Sequence, residues 1–211
     1  MEIINFILHV DVYLGEMIAN FGAFTYAILF LIIFAETGFV FTPFLPGDSL
    51  LFAAGMFSSI DALNVWILFI ILWMASFLGD NTNYWVGRFF GQKIVNNRRI
   101  PINQNHINKT QDFFREHGKK TILLARFLPI IRTFAPFVAG IGKMEYNKFI
   151  FFSFIGGFSW VAIFIFAGYF FGNVPIIKNN FSIATLVIIL LSVSPALIKF
   201  IKIKLQKSSK K

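Results

Sequence analysis

The sequence predicts an all-α membrane protein: an inverted repeat in which two re-entrant helical hairpins face each other, set among four spanning segments and amphipathic interfacial helices. Three observations carry the prediction. At 57% hydrophobic and 14% charged, the 211 residues leave room for several spanning helices and no separate soluble domain. Two apolar stretches, Phe34 to Gly55 and Thr121 to Gly142, are broken by proline and carry charges, and broken backbone in a bilayer is tolerated only against protein or a water-filled cavity. Short motifs in and after those stretches recur in the same order at nearly constant separation.

Along the chain, residues 3–21 place Ile3, Ile4, Ile7, Leu8, Val10, Leu14, Met17 and Ile18 at roughly helical spacing, interrupted by Asp11 and Glu16, as suits a helix lying in the interface. With Glu2, Asp11 and Glu16 as its only charges beside His9, this end lacks the basic start of a cleavable signal and is expected to be retained. Residues 22–91 form the first repeat. Gly22 to Val40 is long enough to span, and a hairpin follows over 41–59, where Pro43, Pro46 and Gly47 cannot sustain a straight helix. Ala62 to Phe90 is a long apolar run broken near its middle by GDNTNYW, with Asp80, Tyr84 and Arg88 at four-residue spacing on one helical face.

Residues 92–120 turn polar and read as the main aqueous loop, with a short amphipathic helix over Asn105 to His117 that uses Ile107, Phe113 and Phe114 and stops at Gly118. The second repeat, 121–172, opens on a hairpin over 121–142, which Pro129 and Pro136 break and Gly140 follows. A favourable Leu, Ile or Phe contributes only about 0.3–0.6 kcal/mol on an insertion scale, which barely offsets a central Arg126 and Arg132, so a hairpin fits better than a span. Phe149 to Gly172 and residues 181–198 read as ordinary spans, and 199–211 as a basic tail. The whole chain is one membrane domain.

The repeat is visible in three places. Phe44-Leu45-Pro46 matches Phe127-Leu128-Pro129, Ala54-Gly55 matches Ala139-Gly140, and Gly87-Arg88-Phe89-Phe90-Gly91 matches Gly168-Tyr169-Phe170-Phe171-Gly172, at offsets of 83, 85 and 81 residues. Charge gives an independent check. With the 92–120 loop cytoplasmic, Lys143, Lys148 and the lysine tail also fall inside; of the 19 lysines and arginines, Arg88, Arg126 and Arg132 lie at membrane depth and Lys178 alone outside. That follows the positive-inside rule, puts both termini in the cytoplasm, and makes the hairpins enter from opposite faces, the plan of many secondary transporters.

One hairpin region carries acids, Glu36 and Asp48, and the other carries bases, Arg126 and Arg132. The plain reading is a set of buried pairs that hold two broken helices together. The functional reading gives the planar arginine forks an anionic phosphate headgroup, and gives Glu36 or Asp48 a proton to accept or release as the neighbouring cation changes partners. Asp80, Tyr84 and Arg88 support the site, or, more plainly, Asp80 caps a helix and Arg88 anchors at the cytoplasmic end. Catalytic residues, metal sites and cofactors are not expected: there is no cysteine, GRFFG lacks the GxxxxGK[ST] phosphate loop, and His9, His106 and His117 share no ligand spacing.

With those residues in view, the chain resembles the DedA family of membrane proteins, also described by the VTT domain, from about Thr25 to Phe171. The resemblance is carried by Glu36-Thr37-Gly38 with Pro43 and Phe44-Leu45-Pro46-Gly47-Asp48-Ser49; by Gly79-Asp80 with Tyr84, Gly87-Arg88 and Gly91; and by Arg126-Phe127 with Pro129, Arg132, Pro136, Gly140 and Met144. It implies a multi-pass protein of the bacterial cytoplasmic membrane that uses the proton motive force to move lipid carriers, undecaprenyl phosphate above all, for the cell envelope. It also implies that Glu36, Asp48, Arg126 and Arg132 occupy positions treated as essential in the family. Expected partners are a membrane lipid with an anionic phosphate headgroup and protons; nucleic acid is not one, and self-association stays open. The alternatives are a phosphatidylethanolamine translocase or scramblase, a proton-coupled cation antiporter, a membrane lipid phosphatase, and a purely structural membrane protein.

Overall fold

The computed structural model describes residues 9–39, 47–95, 104–171 and 174–175, and all regular structure among them is helical. The helices are α1 (Val10–Phe21), α2 (Phe24–Gly38), α3 (Gly47–Ser58), α4 (Val65–Val95), α5 (Gln104–His117), α6 (Thr121–Ala125), α7 (Pro129–Ile141) and α8 (Tyr146–Phe171), with a 3-10 turn at Gly118–Lys120. The expectations for residues 3–8, 41–46, 96–103, 181–198 and 199–211 lie outside the described residues, as do Pro43 and Pro46.

Local chemistry explains where several helices begin and end. Asn64 caps α4, its Oδ1 accepting from the backbone N–H groups of Trp66 (3.0 Å) and Ile67 (3.1 Å). Gly118 takes a φ of +57° after α5, a conformation open to glycine, as the sequence anticipated for that stop. At α7, Leu128 is extended and Pro129 sits in the first turn, where its missing N–H leaves nothing unsatisfied.

Among the described residues, two helices are long and apolar enough to cross a membrane, Val65–Gly91 within α4 and α8. At 31 and 26 residues they run about 46 and 39 Å. The polar GDNTNYW segment does not break α4: Asp80, Asn81 and Asn83 find partners on neighbouring elements, and the Thr82 hydroxyl donates back to the Leu78 carbonyl of the same helix. The span expected over Gly22 to Val40 is shorter: α2 has 15 residues, about 22 Å, less than a hydrocarbon core of about 30 Å. It ends with Glu36, Thr37 and Gly38 buried, so its last turn stops inside the protein rather than on its far side.

The packing crosses the two halves of the chain. α3 lies on α8, and α7 lies on α4, while α2 runs along α4, α1 rests on α3, α5 on α7 and α6 on α8. Both crossings bring backbone onto backbone through glycine. A Cβ at Gly55 of α3 would collide with the Ile165 carbonyl of α8, and one at Gly168 of α8 with the Phe52 carbonyl of α3. The second crossing is the same in kind: a Cβ at Gly87 of α4 would strike the Phe137 carbonyl of α7, and one at Gly140 of α7 the Tyr84 carbonyl of α4. These are the glycines that the sequence matches pair with one another, Gly55 with Gly140 and Gly87 with Gly168. Close approach of small residues is how helices associate where lipid removes the hydrophobic driving force. The larger apolar core, with Leu29, Ile33, Leu51, Leu68, Leu72 and Ile165, surrounds the first crossing.

Candidate functional site

Five buried or nearly buried charged side chains meet where the helix ends converge. Glu36 arrives on the last turn of α2, which reaches depth because Gly79 of α4 lets the α2 backbone in: a Cβ there would lie 2.9 Å from Thr37 Cβ and 3.0 Å from the Phe34 carbonyl oxygen. Asp48 arrives in the first turn of α3, where the helix dipole favours an acid. Gly47 brings that turn against Glu36, since a Cβ on it would sit 3.1 Å from the Glu36 carboxyl carbon. Arg132 arrives in the opening turn of α7 and uses both arms of its fork. Nη2 donates to Glu36 Oε1, and Nη1 donates to Asp48 Oδ1 at 2.6 Å.

A second ion pair stands beside the first. Arg126, in the turn between α6 and α7, donates from Nη2 to Asp80 Oδ2, which also accepts from the Ser153 hydroxyl at 2.5 Å. Room for the arginine comes from Gly156 and Gly157 of α8, where a Cβ would lie 3.2 Å from Arg126 Cγ and 3.5 Å from Nη2. The two units share one aromatic wall. Trp160 of α8 carries the Arg132 guanidinium at 4.6 Å from its ring centroid and that of Arg126 at 5.7 Å, and its indole N–H donates to Asp48 Oδ1 at 2.8 Å. Asn83 of α4 ties the surroundings, donating to the carbonyls of Thr37 (3.2 Å) on α2 and Thr133 (2.8 Å) on α7.

Every ion pair in the cluster joins an acid from the first half of the chain to an arginine from the second. Fully ionised, three carboxylates and two guanidinium groups leave the cluster at one net negative charge. Several of its atoms have no hydrogen-bond partner: Glu36 Oε2, Asp80 Oδ1, Arg126 Nη1 and Arg132 Nε. Unpaired buried polar atoms are uncommon and mark places where partners exchange or a ligand enters. Asp48 is the one charged side chain of the five with appreciable exposure, at 12% against 0–5% for the others.

Of the residues singled out in sequence, the structure brings Glu36, Asp48, Arg132, Arg126, Asp80 and Gly47 together. Asp80 does not cap a helix, because it sits in the middle of α4. Tyr84 and Arg88 share its helical face yet serve elsewhere: Tyr84 donates to the Met144 carbonyl at 2.5 Å, and Arg88 donates to the Tyr84 hydroxyl at 2.6 Å, binding α4 to the turn before α8. Pro129 opens α7 and Gly140 docks it on α4, whereas Pro136, expected to break the segment, lies inside α7 without ending it. Sequence reasoning missed Ser153, Gly156, Gly157 and Trp160, whose i, i+3, i+4, i+7 spacing is the signal that they share one face of α8.

Comparison with known proteins places the chain in a family. Residues 45–170 match the model of the VTT domain. The chain is 48% identical over 205 residues to Protein DedA of Escherichia coli K12, covering 96% of this chain and 94% of that one. It is 40% identical over 169 residues to an uncharacterized membrane protein of Mycobacterium leprae, covering 79% of this chain and 75% of the relative. It is 32% identical over 152 residues to inner membrane protein YqjA of Escherichia coli K12, covering 72% and 69%. No solved structure matches the chain.

Proposed function

The chain belongs to the DedA family of VTT-domain membrane proteins, and from that premise we propose that it is a transporter, not an enzyme, that carries a lipid phosphate, undecaprenyl phosphate first, across the bacterial cytoplasmic membrane in exchange with protons. The observation that carries the reading is the fork of Arg132, buried and shared between Glu36 and Asp48. A phosphate oxygen has the same geometry toward a guanidinium as a carboxylate oxygen, and a phosphate brings more charge. It can therefore displace the carboxylates from Arg132, and the neighbouring Arg126 can take a second phosphate oxygen.

The displaced acids cannot stay as uncompensated buried anions, which is the costly state for such pairs. Glu36 and Asp48 each hold a proton while the phosphate is bound and lose it when Arg132 returns. Asp48, the most exposed of the group, is the point at which those protons pass to and from water. Orientation completes the proposed cycle: the charge distribution favours cytoplasmic termini, and hairpins that enter from opposite faces would let one cluster open alternately to each leaflet. A bound metal cation gains nothing from two arginines beside it, which disfavours cation antiport, and Ser49 beside Asp48 lacks a base to make a phosphatase nucleophile.

The test is purified protein in liposomes with a fluorescent polyprenyl phosphate in one leaflet. Exchange that quickens under an imposed pH gradient and disappears in Glu36→Gln with Asp48→Asn supports coupled transport. Exchange of a phosphatidylethanolamine probe, with none of the polyprenyl phosphate, moves the reading to a phospholipid translocase. Exchange that ignores the gradient moves it to scrambling.

A further inference from the structure

Asp80 is the charged residue of the cluster that the exchange at Arg132 does not use. It is buried in the middle of α4, pairs with Arg126, and is held by the Ser153 hydroxyl on the same oxygen. We infer that Asp80 is the positioning residue for Arg126: it keeps that guanidinium occupied between cycles, yields it to the phosphate, and takes it back to drive release. The inference rests on the lipid-phosphate reading and adds a third exchanging carboxylate to it.

Three features of the geometry carry it. The pair is incomplete on both sides, since Asp80 Oδ1 and Arg126 Nη1 lack partners while buried, so the contact is single-armed and leaves a donor and an acceptor open to exchange. Trp160 lies near both guanidinium groups, at 4.6 and 5.7 Å from its ring centroid, so the two arginines border one aromatic side chain that an anion held by Arg132 also meets. At Gly156 and Gly157, α8 presents backbone and no side chain to Arg126, so a move of the guanidinium from carboxylate to phosphate displaces no α8 side chain at those two positions. At Arg126 the exchange is one for one: a phosphate oxygen replaces Asp80 Oδ2 on Nη2, Asp80 takes up a proton from bulk solution while unpaired, and that proton returns to solution when the pair re-forms. The groups facing Asp80 are Arg126 of the α6–α7 turn, Ser153 of α8 and, farther off, Arg132 of α7.

A counter-ion that competes with substrate has a kinetic signature that a structural pair lacks. In the liposome assay with the fluorescent polyprenyl phosphate, Asp80→Asn is expected to lower the half-saturating concentration roughly tenfold, because Arg126 is free to bind, and to slow turnover by a similar factor, because nothing recaptures Arg126. Ser153→Ala loosens the same carboxylate without removing its charge and shifts both quantities in the same directions by less. It keeps the test decisive where Asp80→Asn yields no folded protein. Asp80→Glu should restore turnover in part. Wild-type transport accompanied by unchanged or raised half-saturation in both variants overturns the role of Asp80 and leaves the lipid-phosphate reading standing. Wild type that moves no polyprenyl phosphate overturns both.

Discussion

α3 and α7 are built to one plan. In sequence each opens at a Phe-Leu-Pro, just after its proline for α3 and on it for α7; each docks through an Ala-Gly pair on the long helix of the opposite half, and each gives way to a turn in which a non-glycine residue takes a positive φ, Asp61 at 60° and Lys143 at 51°. Their charges are opposite. α3 carries Asp48 in its first turn and Asp61 beyond its end; α7 carries Arg132 and Lys143 in the matching places. The acid is supported by its own helix dipole, whereas Arg132 points a positive charge at the positive end of α7. Arg132 is therefore stable only because Glu36 and Asp48 are there. The glycine docks are equivalent; the charged turns are complementary, and each needs the other half.

That difference can be broken most directly at Arg132. Arg132→Ala leaves two buried acids facing each other without their cation, and is expected to lower unfolding stability in detergent by about 3–5 kcal/mol and to abolish transport. Asp48→Asn should destabilise less, since Arg132 keeps Glu36; an equal or larger loss would mean that the acid, not the arginine, is the dependent partner. The docks come next. Gly55→Ala, Gly168→Ala, Gly87→Ala and Gly140→Ala each drive a methyl into a fixed backbone carbonyl, and each should cost about 1–3 kcal/mol by thermal unfolding, with the two crossings hit alike. A crossing that tolerates the methyl would refute the equivalence. The smallest effects belong to the turns: Asp61→Gly and Lys143→Gly relieve a left-handed conformation and should each stabilise by about 1 kcal/mol or less.

Part of this arrangement could be read from the chain. Proline and charge inside apolar sequence located the break between α6 and α7, and the repeat matches picked out Gly55, Gly140, Gly87 and Gly168 without saying what they pack against. The partner of Arg126 could not be read in the same way. Asp80 shares a helical face with Tyr84 and Arg88, and helical periodicity groups the three, yet tertiary packing sends Asp80 to α8 and Arg126 and leaves Tyr84 and Arg88 to the turn at Met144. Trp160 and Ser153 were hidden for another reason. α8 is apolar all round, and a helix without a polar face does not announce which side turns inward. The end of the helix expected near Val40 falls at Gly38, one turn or less beyond the point where Glu36 meets Arg132.

The central claim is that phosphate and carboxylate exchange on one buried arginine, and proton uptake reads that exchange directly. Purified protein in weakly buffered detergent, mixed with a short-chain polyprenyl phosphate, should take up protons from solution as a pH indicator follows them, in proportion to the phosphate bound. Arg132→Gln should take up none. Binding of the phosphate by the wild type without any proton uptake would contradict the account.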